Sequence, residues 1–257
     1  MYANYHTHTP RCGHAFGSER EYIEKAIENG MTILGFSDHI PYFFDGGYYP
    51  DGQKMRPQEL DSYVGTILSL KEEYRRDITI HLGFEAEYYP KYFEAVMDLI
   101  SGYPVEYLLL GQHYLETGLP TDHFNMRPSR DAGLLTRYVD LCIEAYETGR
   151  FLYHAHPDYY WFIGESAVFE REMRRLCTRA KELDIPLEIN LNGLGDGRHY
   201  PDPAFFEIAS SVGNKVVLGT DAHFTEHVYR QEVIDRAMEL VRRQGLELLP
   251  DLEDRIR

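Results

Sequence analysis

Seven short apolar runs, each rich in branched or aromatic side chains, alternate with segments of helical period along the 257 residues. YANYH leads to SEREYIEKAIENG, where Ser18 is placed to cap a helix and Gly30 to end it. MTILGFSDH, ITIHLGFEAEYY, VEYLLLGQHYL, FLYHAHPDYY, PLEINLNGLG and NKVVLGTDAH repeat the pattern, each followed by its own helix. Repeated βα units argue for a parallel sheet buried by helices. At this length, with 43% of residues hydrophobic, closure into a barrel is favoured over an open sheet. No linker or low-complexity stretch interrupts the units, so residues 1–257 are expected to form a single α/β domain.

The formal charge of −16, from 42 acidic against 26 basic residues, repels a nucleic-acid backbone, and no Lys/Arg cluster offsets it. Nucleic-acid polymers are therefore not expected as partners, whereas a small anion held by local cations is compatible with that charge. No apolar run reaches the roughly 18 residues of a membrane span. The first residues carry neither the basic nor the apolar region of a secretory signal. Cys12, Cys142 and Cys177 form no CxxC pair and leave an odd thiol, which fits a reducing, cytoplasmic setting.

Metal-ligating side chains fall at the ends of the seven runs. His6 and His8 follow the first, with His14 close behind. Asp38 and His39 end the second, Glu85 and Glu87 the third, and His113 the fourth. His154 and His156, Asn190, and Asp221 with His223 end the remaining three. In barrels of βα units these ends and the loops after them build one rim. The outer residues of HTH and DAH lie two apart, so on extended chain both point the same way. Imidazole and carboxylate donors suit zinc, iron or manganese, and no paired thiolates suggest a purely structural zinc site. His154 and His156 share a face by the same rule. Pro157 takes the chain out of the strand there, which favours His156 as ligand and His154 as its support. His81, His123, His199 and His227 read as ordinary hydrogen-bonded histidines.

HTHT followed by His14, then SDH, GFEAEY, GQHY, AHPD, EINLNGL and GTDAH together resemble the PHP (polymerase and histidinol phosphatase) family, and within it the histidinol-phosphate phosphatases. The resemblance runs from His6 to His223. It implies a distorted (β/α)7 TIM-like barrel holding three divalent metal ions. Position by position, it implies that His6, His8, Glu85 and Asp221 hold the first ion. Glu85 would bridge to a second bound by His113 and His156, and His14, His39 and His223 would complete the third. Asp38 and Glu87 would fix imidazole tautomers from behind. Many relatives carry an arginine after the fifth-run histidine, where this chain reads HPDYYWFIGE. Arg198 and Arg127 are the replacement candidates for gripping phosphate, with Asn190 beside them.

The implied activity is hydrolysis of L-histidinol phosphate, a step of histidine biosynthesis, with Glu85 and Asp221 as the catalytic carboxylates. Phosphate monoesters hydrolyse extremely slowly in water, so phosphoryl charge must be neutralised and a water made acidic. A trinuclear site that supplies hydroxide needs no protein nucleophile, and Cys12 lacks the glycine-rich anion loop of a cysteine phosphatase. The aromatic and acidic loop Tyr42, Phe43, Phe44, Asp45, Tyr48, Tyr49 is a candidate surface for a cationic leaving group. The alternatives are a phosphatase for a nucleotide, sugar phosphate or phosphotyrosine, a non-catalytic metal-binding module, and an amidohydrolase-like enzyme.

Overall fold

The computed structural model describes residues 2–47, 49, 52–116 and 124–256, so Tyr48 and His123 lie outside the described residues. Eight parallel strands form one sheet in sequence order. They are β1 (Ala3–Asn4), β2 (Ile33–His39), β3 (Thr79–Ala86), β4 (Tyr107–Leu110), β5 (Tyr153–His154), β6 (Leu187–Asn190), β7 (Lys215–Gly219) and β8 (Glu247–Leu248). The long helices between them are α1 (Glu19–Glu28), α2 (Leu60–Glu73), α3 (Phe93–Ile100), α4 (Ala132–Glu147), α5 (Ser166–Glu182), α7 (Pro203–Val212) and α8 (Gln231–Gln244). The six-residue α6 (Leu191–Asp196) follows β6 directly.

The sheet curls as a barrel of βα units should. Beyond β1 and β7 the chain pairs again, Thr7 with Ala222 in parallel, and His8 N–H donates to Ala222 O at 3.0 Å. That bridge joins the first strand to the seventh at the C-terminal rim. At the opposite end an eighth strand pairs with β7 in parallel, a departure from the seven expected. Leu249 N–H bonds Val216 O at 2.8 Å, and Leu252 N–H donates to Tyr5 Oη at 2.9 Å.

Strand alternation sorts the core into two layers. In β3, Ile80, Leu82 and Phe84 pack outward in the large cluster that includes Tyr138 and Phe205. His81, Gly83 and Glu85 take the other face. Inside, Tyr5, Tyr107, Leu109, Tyr153 and Val217 fill the lower barrel. Tyr107 Oη donates to Tyr5 O at 2.7 Å and Phe36 O at 3.0 Å. Its ring fits because Gly83 has no side chain: a Cβ there would stand 2.5 Å from it. The lower barrel is therefore plugged, and polar side chains collect at the top.

Two local expectations change. NGLG is helical rather than strand, because Asn190 Oδ1 accepts Gly193 N–H at 2.8 Å and caps α6. Strand β5 stops at His154, and His156 takes φ +35°, so the alternation rule fails between them.

Candidate metal centre

Glu85 is the hub. Its Oε1 lies 2.9 Å from His156 Nε2 and 3.4 Å from His113 Nε2. Its Oε2 lies 3.1 Å from His39 Nδ1 and 3.5 Å from Nε2 of both His6 and His8. Asp221 Oδ1 stands 3.1 Å from His8 Nε2, 3.5 Å from His6 Nε2 and 3.4 Å from His223 Nδ1. The His14 ring stacks 4.7 Å from that of His223 and lies 5.4 Å from that of His39. All nine side chains named as ligands in the sequence thus gather in one place, brought there by β1, β2, β3, β7 and the loops after β4 and β5.

Hydrogen bonds set the imidazole tautomers. His14 Nδ1 is 3.1 Å from the carbonyls of Cys12 and Gly52, and His223 Nδ1 is 2.9 Å from Asp221 O. Carbonyls only accept, so both rings carry their proton on Nδ1 and keep a lone pair on Nε2. His6 Nδ1 donates to Glu188 Oε1 at 2.8 Å, and His113 Nδ1 to Glu87 Oε1 at 3.2 Å, with the same result. Burial holds His39 and His223 well below the usual imidazole range. Burial works against the ionised carboxylates, yet the surrounding imidazoles keep Glu85 and Asp221 well below theirs.

His6 Nε2, His8 Nε2, His39 Nδ1, His223 Nε2 and Glu85 Oε2 are buried without a hydrogen-bond partner among the described residues. Lone pairs facing carboxylate oxygens repel unless cations lie between them. Among the groups whose donor atoms lie within 4.8 Å of one another are His6–His8–Asp221, His6–Glu85–His156 and His8–His39–His223. The donor set fits a polynuclear divalent metal site.

The supporting residues divide. Glu87 bonds Lys54, a lysine 3% exposed, and holds His113 in turn. Asp38 accepts from Thr9 Oγ1 and from Thr9 N–H at 3.2 Å, and its other oxygen is 3.6 Å from His8 Nδ1. His154, expected to back His156, faces away: its Nδ1 is 2.6 Å from Tyr146 Oη and its Nε2 3.8 Å from Cys142 Sγ. The left-handed turn at His156 separates the two rings. Asn190 is fully buried, with its amide spent on Gly193 N–H, Glu188 Oε2 and Asp221 Oδ2, so it does not reach a substrate. Glu188 and Lys54 were not foreseen. Glu188 is two positions from Asn190 on the same face of β6, a spacing that could have exposed it.

His156 and Asp221, both candidate ligands, have left-handed backbones at φ +35° and +47°. Such strain in non-glycine residues is characteristic of functional sites.

The cluster floors a cavity of about 420 Å³ whose wall includes Lys54, Asn192, Arg198, Phe224 and His227. Arg198 donates to Tyr200 Oη at 2.8 Å and Asp196 Oδ2 at 2.9 Å, with one third of its side chain exposed. Arg127 is exposed and does not line the cavity. The described residues of the aromatic loop do not line the cavity: Tyr42 and Phe44 are buried and stack at 5.4 Å, Tyr49 Oη bonds Lys54 O, and Phe43 is exposed at the surface. Asp45 pairs with Lys91 at the surface.

Strand-end histidines and carboxylates around a shared glutamate, on a curled parallel sheet, define a polynuclear metallohydrolase-type barrel. The PHP domain family profile matches residues 4–192, and the chain belongs to that family. It is similar to a probable histidinol-phosphatase of Deinococcus radiodurans, 29% identical over 226 residues that cover 85% of each chain. The histidinol-phosphatase of Bacillus subtilis is 30% identical over 118 residues, 44% of each chain. The structure resembles that of histidinol phosphate phosphatase from Lactococcus lactis complexed with zinc, L-histidinol and phosphate. The TM-score is 0.75 at 18% identity, covering 96% of this chain and 95% of that one.

Proposed function

We propose that this chain is a metal-dependent phosphomonoesterase that hydrolyses L-histidinol phosphate to L-histidinol and phosphate. The observation that carries the reading is the Glu85 hub, with unpartnered imidazole nitrogens turned toward it at the floor of an open cavity. The names of the relatives supply the ester, and the net charge of −16 supports a small metabolite over a nucleic-acid polymer.

In this reading His6, His8, Glu85 and Asp221 would hold one divalent ion, Glu85 with His113 and His156 a second, and His14, His39 and His223 a third. Bound zinc, iron or manganese supplies charge neutralisation on the phosphoryl oxygens and an acidified water. Glu188 and Glu87 keep protons on the Nδ1 atoms of His6 and His113, leaving each Nε2 free to ligate. Asp221 remains ionised and accepts a hydrogen bond from the attacking water. Arg198, on the cavity wall, steadies the phosphate. The catalytic unit is a single domain over residues 1–257. Three buried free thiols support a reducing cytoplasmic setting, and no helix among the described residues is long and apolar enough to cross a membrane.

The test assays the purified protein with zinc, manganese or iron against L-histidinol phosphate, a nucleoside monophosphate, a sugar phosphate and phosphotyrosine. Elemental analysis accompanies the assay. L-histidinol phosphate should give the highest kcat/KM, with more than one metal equivalent bound. A higher value for another ester, or no phosphate release, refutes the reading.

A further inference from the structure

The metal cluster and Arg198 account for binding an anion, but one wall of the cavity carries polar atoms that neither uses. Asn192, in the first turn of α6, is 3% exposed and lines the cavity. Its Oδ1 is buried with no hydrogen-bond partner among the described residues. His227, in the turn Thr225–Val228, also lines the cavity, and its Nδ1 is likewise buried without a partner. Phe224, 37% exposed, lines the same cavity, with its ring centroid 5.1 Å from that of His227.

A buried amide carbonyl left unbonded is costly, and of the asparagines Asn125, Asn192 and Asn214 whose Oδ1 is so placed among the described residues, Asn192 is the one that lines the cavity. The wall is also held in place. Arg230 Nη2 donates to Leu191 O at 3.0 Å and its Nη1 lies 3.7 Å from Asp196 Oδ1, which pins both ends of α6. A rigid acceptor, an imidazole and an exposed aromatic face fit a ligand that presents N–H donors on a cation or flat ring.

We propose that Asn192 and His227 form the leaving-group subsite, with Asn192 Oδ1 accepting an N–H from the ammonium or imidazole of the ester's alcohol portion. The assignment rests on the phosphatase reading above and names what selects the substrate. Both are specificity residues: they touch the alcohol portion, away from phosphorus. Sites built around a hydrogen bond discriminate strongly against analogues that lack it.

The experiment compares L-histidinol phosphate with p-nitrophenyl phosphate, which has no N–H donor, on the metal-loaded enzyme. In Asn192→Leu, the ratio of kcat/KM for the first ester to that for the second should fall about tenfold to a hundredfold, chiefly through KM. Asn192→Asp, which keeps an acceptor, should restore most of the ratio. His227→Phe, in a surface turn, gives an independent variant should Asn192→Leu fail to fold. Melting curves and metal content confirm integrity. An unchanged ratio, whether both esters decline together or neither does, overturns the subsite while leaving the phosphatase reading intact. A wild-type enzyme that does not prefer L-histidinol phosphate overturns both.

Discussion

His6 Nδ1 and Glu188 Oε1 stand 2.8 Å apart, both residues wholly buried, one following β1 and the other in β6. The other oxygen of Glu188 accepts His156 N–H at 2.9 Å and Asn190 Nδ2 at 2.8 Å. One carboxylate therefore orients two candidate ligands and the residue that steadies Asp221. Glu188→Gln should lower metal affinity or kcat/KM about tenfold to a hundredfold, the usual cost of losing a partner behind a ligand. Metal titration alongside phosphatase kinetics checks this, and wild-type behaviour in both would remove Glu188 from the site.

Glu85 fits only because Gly111 has no side chain. A Cβ there would lie 1.8 Å from Glu85 Oε1 and 2.5 Å from its Cδ. Gly111→Ala should displace the carboxylate, empty the site of metal and reduce kcat by about a hundredfold or more, with the fold retained. Gly65→Ala on the exposed face of α2, where a Cβ meets nothing within 4 Å, is the control. It should keep full activity and gain about 0.5–1 kcal/mol of stability. Circular dichroism and elemental analysis separate the two outcomes.

Stability should depend on pH through the lower end of the barrel. His81 Nδ1 is 2.9 Å from Glu106 Oε1 and its Nε2 2.7 Å from Glu253 Oε1, while Lys71 Nζ also reaches Glu106 at 2.7 Å. Burial pulls the imidazole down, but Glu106 and Glu253 outweigh it and raise the net value above 6.5. Burial favours the neutral Glu106 acid, but His81 and Lys71 outweigh it and push the carboxyl down to about 2. The His81 contribution is complete below its ordinary pH of about 6.5 and fades as pH climbs through the raised value. The Glu106 contribution is complete above about 4.5 and fades toward 2. Both act together between about 4.5 and 6.5. His81→Gln should cost about 1 kcal/mol at pH 5.5 and less at pH 9, a modest figure because Glu106 is partly solvated. Equal losses in Tm at the two pH values would contradict it.

The rim was legible because ligand chemistry and strand periodicity coincide there. HTH and DAH put two donors on one side of extended chain, and the seven βα units then fix which way that side faces. Legibility failed wherever the backbone left the extended state. At His156, φ of +35° turned His154 toward Tyr146, which a period-two argument does not anticipate. At Asn190 a polar side chain that looked free to bind substrate is spent on capping α6. The role of Glu188 depends on partners from the β1 and β5 segments that lie far away in sequence, so LEIN alone does not reveal it. Arg198 and Arg127 looked equivalent as loop arginines, and only the folded path of each loop separates them. The eighth strand has no α-helix after it, so no strand-plus-helix unit marks it in the sequence.

The Thr7–Ala222 bridge has a bearing on when metal is acquired. During synthesis the first histidines leave the ribosome more than two hundred residues ahead of Asp221 and His223. The complete donor set exists only once β7 has docked beside β1, so high-affinity metal binding and closure of the barrel are coupled.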